Sequence, residues 1–169
     1  MKISVTQFVL LLILSLPQYL LAGIKWVDIG VDGLTCSMCS RSVELSVRRL
    51  DFIDNVTMSL EKTEGRVYLK SGQPIDLKKI ARAVTDAGFS VRFLRVEFDF
   101  NDITIKSDGS FDYQGQPYVW IDFKDGSAKG NVVLQLVDEG FLPRKESTPW
   151  KKRIAPDKSR QKVFHVIQV

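Results

Sequence analysis

The chain contains two cysteines, Cys36 and Cys39, and only two residues separate them. This spacing is typical of redox-active pairs and of metal sites. A structural disulfide would gain little here, because the stabilisation from a disulfide grows with the length of the loop it closes. The spacing therefore predicts that the pair is chemically active, either in thiol–disulfide exchange or in metal binding.

Metal binding by this pair would use thiolates, which select soft metal ions over hard cations. Two thiolates at this spacing can approach one ion from opposite sides, and this geometry suits the low coordination number of copper(I). Zinc normally needs four ligands, and the loop holds no Asp, Glu or His that could supply them. The only histidine, His165, lies far along the chain, so we interpret it as a surface or packing residue. The pattern favours one Cu(I) ion bound by Cys36 and Cys39.

The residues around the cysteines predict a strand followed by a helix. Apolar and polar residues alternate at 27–31, and an apolar stripe with helical spacing runs from about Ser37 to Leu50. Cys39, and with it Cys36, then lies at the N-terminal turn of the helix. The free N–H groups and the helix dipole favour a thiolate at that position.

The next residues complete a small α+β fold. Alternation predicts strands near 56–60, 67–69 and 91–100, and a second helix lies between the N-cap Asp76 and Gly88. The order is β-α-β-β-α-β over about 75 residues, which is the ferredoxin-like arrangement. The last apolar alternation continues to Phe100, past the point where this fold needs it, so we expect that strand to pair with the region that follows.

Residues 101–169 show strand and turn signals with little helix. Strong β patterns lie at 118–123, 132–137 and 163–169, and the polar, proline-containing stretch 143–162 is predicted to be a long loop. About five strands suit a small all-β domain, a barrel or a sandwich, with an OB-like barrel as one form of it. No acid–base pair, nucleophile or phosphate-binding loop marks a role for this region.

The first residues are predicted to be a secretory signal peptide. Lys2 precedes an apolar run that Pro17 interrupts, and cleavage is expected after Ala22 or Gly23. An uncleaved membrane anchor is the alternative, although the apolar stretch is short for a membrane span. The predicted organisation is a signal peptide at 1–23, a metal-binding domain at 24–100 and a β-rich domain at 101–169, in an exported, periplasmic or secreted protein.

Charge is distributed unevenly along the chain. The net charge is +4, but residues 144–162 alone hold eight Lys or Arg against two Asp or Glu. This stretch suits a solvated loop, or a peripheral contact with an anionic membrane surface or an acidic partner. Nucleic acid is not expected as a partner, because an exported protein rarely meets it.

Residues 24–99 resemble a heavy-metal-associated domain. The resemblance rests on Gly-Leu-Thr-Cys-Ser-Met-Cys at Gly33–Cys39, on the β-α-β-β-α-β order, and on Asp-Ala-Gly-Phe at Asp86–Phe89. This family includes copper chaperones, N-terminal domains of metal-pumping P-type ATPases and periplasmic mercury-binding proteins. The resemblance implies that Cys36 and Cys39 are the metal ligands, with Hg(II) or Zn(II) as less favoured metals. It also implies a donor or acceptor protein with its own Cys or Met site.

The resemblance also assigns roles to individual loop residues. Leu34 replaces the Met usual in the family and is expected to be buried under the loop. Thr35 matches copper-type and mercury-type loops, whereas zinc-type loops more often have Asp there. Phe89 is expected to shield the site. Met38 is expected to be exposed, and a role for it as a third soft ligand is a weaker alternative.

Three functions remain open from the sequence. The favoured one is non-enzymatic capture or transfer of Cu(I) by thiolate exchange with a partner. A thiol–disulfide oxidoreductase is the second, although the Trp-Cys-Gly-Pro-Cys surround of thioredoxin-like enzymes is missing. The third is an interaction protein that keeps the fold without transferring metal.

Overall fold

The computed structural model describes Ile24 and residues 26–124, 128–154 and 162–169. The predicted signal peptide at 1–23 lies outside these residues. The elements in chain order are β1 (Trp26–Asp32), α1 (Ser37–Arg48), β2 (Ile53–Ser59), β3 (Glu64–Leu69), α2 (Leu77–Asp86), β4 (Ser90–Asp99), β5 (Ser110–Tyr113), β6 (Gln116–Trp120), β7 (Asn131–Leu136), α3 (Arg144–Arg153) and β8 (Phe164–Gln168). None of the described helices is long and apolar enough to cross a membrane.

The first part of the chain has the predicted β-α-β-β-α-β order. Strands β1 to β4 are hydrogen-bonded in the order β2-β3-β1-β4, and α1 and α2 bury their apolar stripes in the core. The Ser46 hydroxyl donates to the carbonyl oxygen of Ala83 over 2.7 Å and links the two helices. The Asp76 carboxylate caps α2 by accepting from the N–H groups of Lys78 and Lys79, as the sequence predicted. The ferredoxin-like fold is therefore confirmed for this part.

Strand β4 joins the two parts of the chain. It pairs with β1 through Ser90–Val96 and with β7 through Arg95–Asp99. The register against β1 shifts after Gly30, because Arg92 is an extra residue on β4 that forms a bulge. The expectation that this strand continues into the later region is confirmed.

The later strands extend the same sheet. The order of all eight strands is β2-β3-β1-β4-β7-β8-β6-β5. The predicted small all-β barrel or sandwich is not confirmed for residues 101–169, because their strands continue the sheet of the first part and a helix lies among them. The physical reason is that β4 extends beyond the residues that pair with β1. The free backbone N–H and C=O groups of this extension pair with β7. Whether residues 101–169 fold as a domain by themselves stays a prediction.

An aromatic core fills the space between β4 and the β5–β6 hairpin. The ring of Phe98 meets those of Phe111, Tyr113 and Tyr118 edge to face, with centroids 5.3 to 5.6 Å apart. The Tyr113 hydroxyl also accepts a hydrogen bond from the backbone N–H of Ile24 over 2.7 Å. The hairpin therefore lies over β4 and covers the apolar residues that extend beyond the ferredoxin-like part.

Helix α3 replaces the predicted loop over Arg144–Arg153, and Pro149 lies inside it. Trp150 and Ile154 pack against a buried cluster of Phe93, Val137 and Leu142. Proline removes one backbone donor and normally weakens a helix, so the polar sequence with three prolines suggested a loop. The tertiary contacts of Trp150 and Ile154 supply the stabilisation that the local sequence lacks.

Candidate metal centre

The loop between β1 and α1 places both cysteines at the helix N-terminus. The backbone turns at Gly33 with a φ of +90°, which favours glycine. Cys36 is the N-cap of α1, with extended backbone angles, and its sulfur accepts a hydrogen bond from the Cys39 N–H over 3.3 Å. Cys39 lies in the first helical turn. The predicted placement of the pair is therefore confirmed.

Both cysteines are free thiols, and they differ in exposure. Cys36 is exposed and Cys39 is partly buried. The pKa of the Cys39 thiol is lowered, mainly because a hydrogen bond from the Cys36 side chain stabilises the thiolate; burial acts in the opposite direction. The Thr35 hydroxyl oxygen, 4.0 Å from the Cys39 sulfur, and backbone groups of the loop lower the pKa further. The loop therefore favours the ionised form that binds a soft metal.

The residues around the loop match the roles predicted for them in exposure and position. Leu34 is 5% exposed and belongs to the hydrophobic core. A ring carbon of Phe89 lies 3.6 Å from where a side chain at Gly33 would begin, so this ring covers one side of the loop. Met38 is 72% exposed, which leaves it free to contact a partner or solvent.

Arg92 adds a contact near the loop that no sequence pattern indicated. Its guanidinium donates to the carbonyl oxygen of Lys62 over 3.0 Å, and it lies 4.0 Å from the Asp32 carboxylate. It therefore ties the turn after β2 to the strand that leads into the metal loop. Arg92 is the extra residue of the bulge on β4, and the local sequence does not indicate where a bulge will form.

His165 lies on β8, in a different part of the structure from the cysteine loop. Its ring nitrogen Nδ1 is 2.9 Å from Asp138 Oδ1, and its backbone N–H donates to the same carboxylate over 2.6 Å. Both side chains are largely buried, which agrees with the predicted packing role. Within the described residues, no three His, Cys, Asp or Glu side chains gather in a cluster that could hold a metal. In the part of the chain that the structure describes, Cys36 and Cys39 therefore belong to no such three-ligand cluster.

Comparison with known proteins agrees with this geometry. Residues 29–90 match the heavy-metal-associated domain. The chain is 34% identical over 61 residues to the copper chaperone CopZ of Bacillus subtilis, covering 36% of this chain and 87% of CopZ. It is 34% identical over 65 residues to copper-transporting ATPase 1 of Rhizobium meliloti, covering 38% of this chain and 8% of the ATPase.

Among solved structures, the solution structure of the yeast copper transporter domain Ccc2A aligns with 25% identity and a TM-score of 0.36, covering 40% of this chain and 90% of that domain. The chain spans most of CopZ but only a small fraction of the ATPase. The metal loop, helices α1 and α2 and the start of β4 lie inside the matched residues. Because the chain matches both CopZ and the heavy-metal-associated domain, it belongs to the heavy-metal-associated domain family.

Proposed function

We propose that this chain binds one Cu(I) ion through the thiolates of Cys36 and Cys39 and passes it to, or receives it from, a partner protein. The observation that carries the proposal is the hydrogen bond from the Cys39 backbone N–H to the Cys36 sulfur over 3.3 Å, which places both cysteines at the N-terminus of α1, with Cys36 exposed. The relatives named as a copper chaperone and a copper-transporting ATPase support copper as the cargo.

The donor set supports copper over zinc. Two sulfurs satisfy the low coordination number of Cu(I), whereas a structural zinc site is almost always four-coordinate. No cluster of three or more His, Cys, Asp or Glu occurs in the described residues, so two of the four zinc ligands would have to come from elsewhere. Hg(II) is also a soft ion that two thiolates suit, and it is the main competitor of Cu(I) at this site.

Transfer would proceed by exchange of thiolate ligands. A thiolate of the partner forms a bond to the ion and gives a three-coordinate intermediate, and then one bond to Cys36 or Cys39 breaks. The released thiolate takes up the proton that the partner thiol lost, and a second exchange completes the transfer without any change in copper oxidation state. Cys36 is the more exposed sulfur, so we infer that it is exchanged first.

The site of action is proposed to be outside the cytoplasm, in the periplasm or secreted. The support comes from the signal-peptide pattern in the sequence, with its apolar run ahead of Ala22 and Gly23. The partner would carry its own Cys or Met site. A measurement of the N-terminal residue of the mature protein tests this proposal, because cleavage would leave Gly23 or Ile24 first.

The test of metal binding is a titration of the reduced protein with Cu(I), Zn(II) and Hg(II), with competing chelators to measure affinity and mass spectrometry to count ions. We expect one Cu(I) per chain and much weaker Zn(II) binding. A stoichiometry other than one, or a preference for Zn(II), would contradict the proposal.

The same preparation separates the two alternative functions. A thiol–disulfide oxidoreductase would reduce insulin catalytically, and we expect no such activity. An interaction protein that has lost metal transfer would bind no Cu(I) even when fully reduced.

A further inference from the structure

A basic groove runs along α2 on the side away from α1. It lies between α2 and the turn at 139–141 that follows β7, and Lys162 lies at its edge. Its volume is about 420 Å³, which is within the usual range for sites that hold part of a ligand. The groove is built from two segments that are distant in sequence, and one of them lies beyond the residues that match the heavy-metal-associated domain.

Cations outnumber carboxylates in the lining of the groove. Lys79, Arg82 and Lys162 line it and form no ion pair with any carboxylate of the described residues. Lys78 contributes a fourth positive charge, and its ammonium lies 5.1 Å from the centre of the Phe164 ring. The groove therefore presents four positive charges, none of them in a salt bridge among the described residues.

The two acidic residues in the lining are already engaged. Asp76 accepts hydrogen bonds from the first N–H groups of α2, so its carboxylate is held against the N-terminus of that helix. Glu139 pairs with the Lys151 ammonium over 2.6 Å, and this contact lowers the pKa of Glu139. Lys162 is close enough to Glu139 to contribute to that lowered pKa. Four cations still face two carboxylates in the lining, so the groove keeps a net positive charge.

The floor of the groove is apolar and the walls are exposed. Phe141 and Ala81 are 2% and 6% exposed, and the space above Gly140 is open. The described buried polar side-chain atoms that lack a partner are on Ser40 and Arg92, and neither residue lines the groove. A single compact anion would therefore find no buried donor here, whereas an extended chain could use several exposed cations together with the floor.

We propose that this groove binds an acidic peptide segment of a partner protein, with carboxylates facing Lys79, Arg82 and Lys162 and an apolar side chain over Phe141. Exposed charge pairs of this kind add mainly to association rate and selectivity, so binding should be fast and sensitive to salt. The proposal does not depend on metal binding, because neither Cys36 nor Cys39 lines the groove.

The first measurement uses fluorescence anisotropy and the full-length, reduced, metal-free chain. The probe is a dye-labelled, end-blocked peptide with four glutamates and a central leucine, and the control peptide has glutamine at each glutamate position. We expect the control peptide to bind at least about tenfold more weakly. We also expect the affinity for the acidic peptide to fall as the salt concentration rises from about 50 to about 500 mM.

Two double variants locate the binding surface. Lys79→Gln with Arg82→Gln removes two charges from α2 at the groove, and Lys145→Gln with Lys152→Gln removes two charges from α3 outside it. All four side chains are exposed, and glutamine has a helix propensity close to those of lysine and arginine. We expect the first pair to weaken binding about tenfold and the second less than about threefold, with unchanged thermal unfolding in both.

Several results would overturn the proposal. Equal losses in the two double variants, or equal binding of the two peptides, would show only a general attraction to a basic protein. Competition by millimolar phosphate or citrate as strong as that by unlabelled peptide would indicate a site for small anions. Binding of the chain to phosphatidylglycerol vesicles and not to the peptide would also contradict it. If the double variant Lys79→Gln with Arg82→Gln abolished that vesicle binding, the groove would be a membrane-binding surface.

Discussion

The sulfur of Cys36 accepts a hydrogen bond from the backbone N–H of Cys39 over 3.3 Å, so one proposed copper ligand is also the cap of helix α1. The same side chain therefore has two separable roles, in metal binding and in helix stability. Serine keeps a capping oxygen but supplies no soft sulfur, whereas alanine supplies neither. Substitutions at this position can distinguish the two roles.

Cys36→Ser and Cys39→Ser should each abolish tight Cu(I) binding while the fold persists. Cys36→Ala should also abolish it and in addition lower the free energy of unfolding by about 0.5 kcal/mol, the low end of N-cap losses, because sulfur is a weaker acceptor than oxygen. Chelator competition measures the copper affinity, and urea unfolding measures the stability. Full-affinity binding by either serine variant would exclude the model of two thiolate ligands.

Cys36→Ala should raise the pKa of the Cys39 thiol. The hydrogen bond from Cys36 is the largest cause of the lowered pKa, and the opposing effect of burial remains in the variant. A higher pKa leaves less thiolate at a given pH, so the curve of alkylation rate against pH should move to higher pH. Iodoacetamide labelling of Cys39, followed by mass spectrometry, gives this curve. An unchanged curve would show that Cys36 does not stabilise the Cys39 thiolate.

Leu34→Met should change the Cu(I) affinity by less than about tenfold, or about 1.4 kcal/mol. Leu34 is 5% exposed and packs in the core, and methionine has a similar volume and adapts well to irregular space. Chelator competition on both proteins provides the measurement. A larger gain in affinity would mean that the side chain at this position contacts the metal.

Phe98→Ala should lower the free energy of unfolding by about 3 to 5 kcal/mol. Phe98 is 1% exposed, and its ring contacts rings from β5 and β6. Tyr68→Ala is the control, because Tyr68 is 37% exposed on β3 and should cost much less. Urea unfolding followed by tryptophan fluorescence measures both. If Phe98→Ala cost no more than the control, the aromatic core would not be what holds the β5–β6 hairpin on β4.

The sequence alone determined the position of the metal loop and the element order of the ferredoxin-like part, because both depend on local patterns of residues. The local signals are the spacing of the two cysteines, the N-cap Asp76 and the helix-terminating Gly88, and each acts within one or two turns of backbone. Alternation of apolar and polar residues marks each strand. These signals depend on near neighbours in the chain, so they can be interpreted without knowing the rest of the fold. The burial of Leu34 and the exposure of Met38 followed from the same local pattern and the family resemblance.

Only the tertiary structure decided how residues 101–169 are arranged. Helix α3 has a polar sequence interrupted by Pro149. It depends on packing of Trp150 and Ile154 against a cluster that includes Phe93, which lies about 60 residues away in the chain. The single eight-stranded sheet depends on which strand pairs with the free edge of β4. The basic groove depends on where α2 lies relative to the turn at 139–141. Contacts between distant segments decide these features, and no local pattern in the sequence encodes them.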